Sequence, residues 1–95
     1  MKVRNGILKG ELKVKGGKLI KCEVKIKDGI IEKIKFSGDF FMHPEEKIEE
    51  LEEKLKGVKI DDLQNILKSF FKKIQVIGVN KDDFLAVVMK AVKNS

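Results

Sequence analysis

Cysteine and histidine are common nucleophiles, proton carriers and zinc ligands, and this sequence has one of each, Cys22 and His43. His43 has no second histidine, cysteine or carboxylate at metal-ligand spacing around it, and a position at the start of a helix accounts for it. Cys22 occupies an inward position of a predicted strand, where an inert buried thiol is expected rather than a nucleophile. The sequence therefore predicts no catalytic residue and no metal site in this chain.

The length and composition predict one domain, residues 1–95. A chain of 95 residues, 42% hydrophobic and 38% charged, can bury a modest core beneath a heavily charged surface, but it is short for a large active-site cleft. No apolar run approaches the ~18 residues of a membrane span, and the first residues lead into no signal-peptide core. A single cysteine, unable to form an internal disulfide, fits a reducing compartment. We therefore expect a cytoplasmic protein.

The charge is unevenly distributed along the sequence. Residues 1–38 carry a net charge of +7, residues 39–60 carry −3 and residues 61–95 carry +2. A basic surface attracts nucleic acid, but the outward strand positions offer no aromatic platform on which bases of a single strand would stack. An α+β layout also suits an iron–sulfur scaffold, yet a lone cysteine cannot hold a cluster. A basic nucleic-acid-binding or iron–sulfur-scaffold-like module is therefore kept only as the alternative function.

Short alternating runs predict three antiparallel strands at about residues 3–15, 18–27 and 30–37. In the second run apolar residues alternate with charged ones from Ile20 to Ile26, which places one face inward and a lysine-rich face outward. Gly16-Gly17 separates the first two runs and indicates a hairpin. The inward residues of both runs are even-numbered, and a two-residue turn would pair even with odd positions. We therefore predict a three-residue loop with a left-handed glycine.

Asp28-Gly29 is a strong signal for a two-residue turn in a second hairpin. A plain register from that turn would bury Lys33 and Lys35 and expose the apolar Ile34 and Phe36. The third strand therefore needs one extra residue, most simply a bulge at Glu32-Lys33.

Helical spacing predicts three helices at about residues 44–56, 61–74 and 80–93. Pro44 is suited to the first turn of the first helix, and Gly57 marks its end. The second helix has the widest apolar face, and we expect it to be the most buried. Asn80 caps the third helix, with Asp83 three residues later. These helices cover one face of the sheet and give a two-layer α+β domain.

Gly38-Asp39-Phe40-Phe41 lies where the sheet gives way to the helices. Successive side chains of an extended chain point to opposite faces, so both phenylalanines enter one core only if the backbone bends. The four residues are then either a packed turn, with a positive φ at Gly38 and a hydrogen-bonded Asp39, or a site where one ring faces a partner. We take all four as partner-interface candidates and expect Phe41 to be buried and Phe40 more exposed.

The surroundings of this motif resemble a known family. Gly38-Asp39-Phe40-Phe41 follows a Lys-Asp-Gly hairpin at residues 27–29 and precedes a Leu/Glu-rich helix at residues 48–58 that ends in Gly57-Val58. The arrangement resembles the small C-terminal domain of lipoate-protein ligases, and the likeness extends over about residues 10–85. The motif is short, but it is distinctive between such a hairpin and such a helix.

The resemblance implies an accessory role. Lipoate-protein ligases activate lipoate with ATP to lipoyl-AMP and pass the lipoyl group to a lysine of a lipoyl domain in 2-oxoacid dehydrogenases or the glycine-cleavage system. Their catalytic residues lie in a much larger domain, with an Arg-Arg and Gly-rich motif that this sequence lacks. In some archaea and bacteria the small domain is a separate chain. The resemblance thus implies one non-catalytic subunit of a heterodimer, with lipoate, ATP and Mg²⁺ bound by its large partner and no cofactor of its own.

Overall fold

The computed structural model describes residues 5–14, 16, 18–43, 46–77 and 79–93, with the backbone alone for residues 41–43, 73 and 75–77. Three strands, β1 (Gly6–Lys13), β2 (Leu19–Lys27) and β3 (Ile30–Gly38), form an antiparallel sheet in the order β1-β2-β3. Along β2 each even-numbered residue is buried and each charged residue between them is exposed. The predicted sheet is confirmed, although residues 3, 4 and 15 of the predicted first strand lie outside the described residues.

The first hairpin has the predicted register. Gly10 lies opposite Cys22 and Leu12 opposite Ile20, so even-numbered residues face one another. The Val14 N–H donates to the Lys18 carbonyl at 2.8 Å and closes a three-residue loop, in which Gly16 has a φ of +88°. The left-handed glycine and the loop length are both confirmed.

The second hairpin turns at Asp28 and Gly29, whose φ values are +53° and +77°. Two successive positive φ values are the conformation of a type I′ turn, which matches the twist of the flanking strands. Ile26 then lies opposite Ile31 on the buried face. The Asp28 N–H donates to Asn5 Oδ1 at 2.8 Å, which ties this turn to the start of β1.

A β-bulge follows this turn, as predicted. Lys25 lies opposite Lys33 although its neighbour pairs with residue 31, so Glu32 is the extra residue of β3. The insertion exchanges the two faces of the strand, because side chains alternate with a period of two. Ile34 and Phe36 are consequently buried, and Lys33 and Lys35 are exposed.

All three predicted helices are present, at α1 (Lys47–Lys54), α2 (Leu63–Phe70) and α3 (Lys81–Lys93). Pro44 lies outside the described residues, so its predicted role at the first turn stays a prediction. Gly57 follows α1 with a φ of +81°, as expected of a helix stop. The predicted second helix, residues 61–74, was too long at both ends, because single 3₁₀ turns occupy residues 60–62 and 71–73.

The cap of α3 is confirmed. Asn80 Oδ1 accepts from the Asp83 N–H at 3.1 Å, and Asp83 Oδ2 accepts from the Asn80 N–H at 2.9 Å. We expected α2 to be the most buried helix, but α3 is the one that packs against β1 and β2, with five buried residues to three in α2. Gly10 permits this close packing, since a Cβ there would lie 2.7 Å from both Ala91 N and Val87 O.

A second, two-stranded sheet was not predicted. β4 (Phe41–His43) pairs antiparallel with β5 (Gln75–Ile77), and Phe41 lies opposite Ile77. Strands of three residues are too short to show an alternating pattern in the sequence. Because β4 begins at Phe41, the chain passes from the corner into this second sheet before α1 begins.

The outer edge of β3 is paired within the chain. The Gly57 N–H donates to the Ile31 carbonyl at 2.7 Å, and the Ile31 N–H donates to the Val58 carbonyl at 2.9 Å. Further along the same edge, the Phe36 N–H donates to Glu52 Oε2 of α1 at 2.8 Å. The segment after α1 and the acidic helix itself therefore satisfy main-chain groups that an edge strand would otherwise leave to solvent.

A hydrophobic core fills the space between the sheet and the helices. Its largest fully enclosed side chains come from both layers and are Phe84, Ile20, Ile26, Ile31, Leu51, Leu55, Leu63 and Leu67. In the described ranges no charged or polar residue is buried. None of the helices in those ranges has the length and apolar character that crossing a membrane requires.

Candidate functional site

The candidate site is the corner at which the chain leaves β3, formed by Gly38, Asp39, Phe40 and Phe41. Hydrogen bonds from one residue fix this corner to the start of β2. The Asp39 N–H donates to the Leu19 carbonyl at 2.7 Å, and the Leu19 N–H donates to Asp39 Oδ2 at 3.3 Å. The backbone and side chain of Asp39 thus both hold the corner against its neighbouring strand.

Gly38 occupies a position that requires glycine. Its φ is +142°, and a Cβ there would meet the Leu19 carbonyl oxygen and lie 2.9 Å from Ile20 Cα. Side chains with a Cβ are disfavoured by the dihedral angle and by the contact with the β2 backbone. The positive φ predicted for Gly38 is therefore confirmed, and its cause is the close approach of β3 to β2 at the corner.

Five phenylalanine rings form a connected cluster behind the corner, here called the phenylalanine cluster: Phe36, Phe40, Phe70, Phe71 and Phe84. Phe84 is fully buried, and its ring centroid lies 5.1 Å from those of Phe36, Phe40 and Phe71. Phe70 extends the cluster through Phe71 at 5.6 Å. The interplanar angles of Phe36 and Phe40 with Phe84, 75° and 77°, are those of the favourable edge-to-face arrangement.

Phe40 joins the corner to this cluster. Its side chain is half-buried and packs against the hydrophobic core. We expected Phe40 to be the more exposed ring of the pair. One part of the ring contacts Phe84 in the core, and the rest is exposed. The side chain of Phe41 lies outside the described residues, so the comparison between the two rings stays a prediction.

Neither Cys22 nor His43 belongs to the corner motif. Cys22 is buried on the inner face of β2, and this burial raises the pKa of its thiol to about 12, with the negative charges of Glu23 and Glu52 adding to the effect. The predicted burial of Cys22 is confirmed. His43 lies in β4 opposite Gln75, and its side chain is outside the described residues. In the part of the chain that the structure describes, no three His, Cys, Asp or Glu side chains form a group that could hold a metal ion.

The outer face of the sheet is basic and open. Its exposed lysines, here called the lysine-rich face, are Lys9, Lys13, Lys21, Lys25, Lys27, Lys33 and Lys35. Lys25 lies directly opposite Lys33, an arrangement of like charges that costs stability. Ion pairs of 3.6 Å join Lys21 to Glu11 and Lys25 to Glu32, which offsets the charge only in part. A face of this kind attracts anionic groups but positions none of them.

Two residues that support the corner were not among the sequence candidates. Phe84 was predicted to face inward, but periodicity identifies a face of a helix and not the ring that packs on it. Glu52 is one of several glutamates in an acidic run, so nothing in the sequence distinguished it as the acceptor for the Phe36 N–H.

Comparison with known proteins relates this arrangement to a family. Residues 2–88 match the family model described as bacterial lipoate protein ligase C-terminus. The lipoate-protein ligase A subunit 2 of Thermoplasma acidophilum is 36% identical over 68 residues, which make up 70% of this chain and 72% of that relative.

A solved structure has the same fold over nearly its whole length. It is a chain from the structural analysis of an archaeal lipoylation system, a bi-partite lipoate protein ligase and its E2 lipoyl domain from Thermoplasma acidophilum. The TM-score is 0.83 at 30% sequence identity, and the match covers 90% of this chain and 97% of that chain. The resemblance found from the corner motif and its flanking hairpin and helix is confirmed. This chain belongs to the family of lipoate protein ligase C-terminal domains.

Proposed function

We propose that this chain is the non-catalytic small subunit of a two-subunit lipoate-protein ligase in the cytoplasm. A separate large subunit binds lipoate, ATP and Mg²⁺ and forms lipoyl-AMP, and the small subunit assists that step. The observation that carries the proposal is the match to 97% of a chain from a bi-partite ligase. The lysines of lipoyl domains in 2-oxoacid dehydrogenases or the glycine-cleavage system are then the acceptors, which this chain meets only indirectly.

The assistance we propose is closure of the adenylation site. An acyl-adenylate is readily hydrolysed, and electrostatic stabilisation of the reacting groups is stronger where water is excluded. A domain that closes such a site must keep its shape on contact. The bonds between Asp39 and Leu19 and the packing of Phe40 on Phe84 support a rigid contact surface at the corner.

We place the contact with the large subunit at the corner of Gly38, Asp39, Phe40 and Phe41, with Phe40 as its partner-facing ring, in keeping with the sequence prediction that Phe41 is buried. The exposed part of the half-buried Phe40 ring is available to a partner, and the inner part anchors it. Such an anchored aromatic ring loses little side-chain entropy when a partner covers it, which is typical of residues that dominate binding energy.

The test is co-expression with the large catalytic subunit from the same organism. Each subunit and the mixture are assayed for lipoate-dependent release of pyrophosphate from ATP and for lipoyl-AMP. The expected result is a co-purifying complex that forms lipoyl-AMP faster than the large subunit alone, with no turnover by the small subunit alone.

Two results would contradict the proposal. Lipoate-dependent ATP turnover by the small subunit alone would assign it a catalytic role. The absence of both co-purification and activation would exclude the accessory role, and salt-sensitive retention of the chain on DNA would then favour the nucleic-acid alternative.

A further inference from the structure

The two edge strands of the three-stranded sheet differ in whether another described segment of the chain bonds to their outer side. The outer edge of β3 is paired with residues 57–60 through both main-chain groups of Ile31, and the Ile60 N–H donates to the Gly29 carbonyl at 2.9 Å. None of the described residues covers the outer edge of β1 in this way. Across the described ranges, no hydrogen bond joins that edge to another segment.

The unpaired groups of β1 can be identified from its register. The bond from the Val14 N–H to Lys18 marks their pair as hydrogen-bonded, and hydrogen-bonded pairs alternate along an antiparallel ladder. Even-numbered residues of β1 therefore bond to β2. The main-chain groups of the odd-numbered residues, which are Ile7, Lys9, Glu11 and Lys13, point away from the sheet.

Of the features that usually protect a sheet edge, β1 has lysines, Lys9 and Lys13, but neither a bulge nor a proline. The pairing of β1 with β2 continues over eight successive residues without a bulge, and β1 contains no proline. Ile7, at the start of the strand, is 61% exposed and is the most exposed large hydrophobic residue described. A long, regular strand with free N–H and C=O groups is a template for one more strand.

A second copy of this chain does not fit along that edge. A Cβ at Gly10 would lie 2.7 Å from backbone atoms of Val87 and Ala91, so α3, which also packs against β2, passes directly above β1 at this residue. If two copies paired through the full length of β1, their α3 helices would lie above strands about 4.8 Å apart. Packed helices need about 8–10 Å between their axes. The added strand must therefore come from a chain with no helix above it.

We propose that the free edge of β1 receives one extended strand of the large ligase subunit, which makes a four-stranded sheet across the interface. This inference rests on the proposed function. The outward side chains of that strand would lie beside Ile7, Lys9, Glu11 and Lys13 of β1. Because Glu11 already pairs with Lys21, the two lysines of β1 favour acidic neighbours. An acidic strand with an apolar residue opposite Ile7 is complementary to this edge.

One partner can contact both this edge and the corner. Lys13 of β1 lies opposite Leu19 of β2, and Leu19 bonds in turn to Asp39. The free edge and the corner are thus two strand spacings apart, or about 10 Å. The added strand would run beside the sheet while another part of the same subunit covers Phe40.

Amide hydrogen exchange in the full-length chain, followed by NMR with and without the large subunit, tests this inference. In the free chain the amides of Leu8, Gly10 and Leu12 should exchange slowly and those of Lys9, Glu11 and Lys13 rapidly. In the complex the odd-numbered amides should slow by about tenfold or more, because each gains a main-chain acceptor. Rapid exchange of these amides in an active complex would overturn the strand addition and leave the proposed function intact.

Lys9→Pro and Lys9→Val form a matched pair for the same purpose. Proline removes the outward N–H without breaking a bond to β2, and edge positions tolerate it. Valine removes the charge and keeps the N–H. We expect Lys9→Pro to weaken binding of the large subunit about tenfold more than Lys9→Val does, since the lost bonds act only in the complex.

The variants also need a check of folding and of self-association. Each should keep the unfolding temperature of the parent chain to within a few degrees, and the parent should sediment as a monomer. Equal affinity of the two variants for the large subunit would overturn the proposal, as would a dimer of the parent chain that Lys9→Pro dissociates. If the parent chain itself did not bind the large subunit, the proposed function would be overturned instead.

Discussion

The ring of Phe40 stands edge-on to the ring of Phe84, with the centroids 5.1 Å apart and the planes at 77°. This contact joins the corner after β3 to the first turn of α3, two segments that are far apart in the sequence. Because Phe84 also contacts Phe36 and Phe71, a change at the corner reaches the centre of the core through a single ring.

Phe84→Ala and Phe40→Ala should therefore differ in their effect on the free energy of unfolding. Phe84 is fully buried with three ring partners, and its truncation should cost about 3 to 5 kcal/mol. Phe40 is half-buried with one ring partner, and we expect a loss of about 1 to 2 kcal/mol. Urea unfolding of both variants measures the difference, and an equal loss would mean that Phe40 is wholly a core residue.

Alanine variants at the corner distinguish an effect on stability from an effect on assembly with the large subunit. At a temperature where all are folded, Phe40→Ala should bind the large subunit more weakly than the parent chain, and Asp39→Ala should lie between them. Phe41→Ala, from the sequence prediction that its ring is buried, should lose stability with subunit affinity retained. Unchanged affinity in Phe40→Ala and Asp39→Ala would reduce the corner to a packed turn and direct the search to the lysine-rich face or α1.

Gly38→Ala should destabilise the fold more than Gly16→Ala. Both glycines have positive φ, at +142° and +88°, but a Cβ at Gly16 would meet nothing within 4 Å, whereas at Gly38 it would press on the backbone of β2. A strained φ alone costs about 1 to 3 kcal/mol. The unfolding temperature of Gly16→Ala should therefore be higher than that of Gly38→Ala, and the reverse order would refute the contact with Leu19.

Glu52→Ala should cost more stability than Glu53→Ala on the same helix. Glu52 accepts the Phe36 N–H at 2.8 Å in a half-buried position, and hydrogen bonds to charged groups contribute about 1.5 to 3 kcal/mol. Glu53 forms an exposed ion pair with Lys56, a kind of contact worth about 0 to 1 kcal/mol. The pair shares the helix and the substitution, so equal midpoints in urea would exclude the bond to β3.

The buried thiol predicts a loss of stability at high pH. Burial raises the pKa of Cys22 from 9.0 to about 12, so the unfolded chain releases this proton first as the pH rises. Below pH 9 the thiol has no effect on the pH dependence. Above it, the parent chain should lose about 1.4 kcal/mol per pH unit relative to Cys22→Ala, up to the folded-state pKa.

Urea unfolding of both chains at several pH values between 7.5 and 10.5 measures this difference, and the other titrating groups cancel in the comparison. A difference that stays constant across the range would mean that the thiol ionises equally well in the folded protein. Alkylation gives a second readout, since Cys22 should react with iodoacetamide only after unfolding.

The hairpins and the bulge were predictable because burial determines them. Ile34 and Phe36 can share a face with Ile26 only if the strand gains one residue, and Glu32 supplies it. The cap of α3 was predictable for a different reason, because Asn80 and Asp83 satisfy each other within one turn of chain.

Contacts made by the main chain were not predictable. The pairing of Gly57 and Val58 with Ile31 and the sheet of β4 with β5 depend on N–H and C=O groups that every residue has, so no side-chain pattern marks them. The ring partner of Phe40 was missed because helical periodicity places Phe84 on an inner face without specifying which loop returns to it. At the corner, the sequence indicated the positive φ of Gly38 but not the β2 backbone that demands it.

The occupied edge of β3 limits how far the molecule can grow. A sheet with two open edges lets each copy receive a strand on one side and offer one on the other, and such head-to-tail addition continues into filaments. Here both main-chain groups of Ile31 are already bonded within the chain. The β1 strand of one molecule therefore cannot pair with the β3 strand of the next at Ile31, which hinders head-to-tail polymerisation by this route.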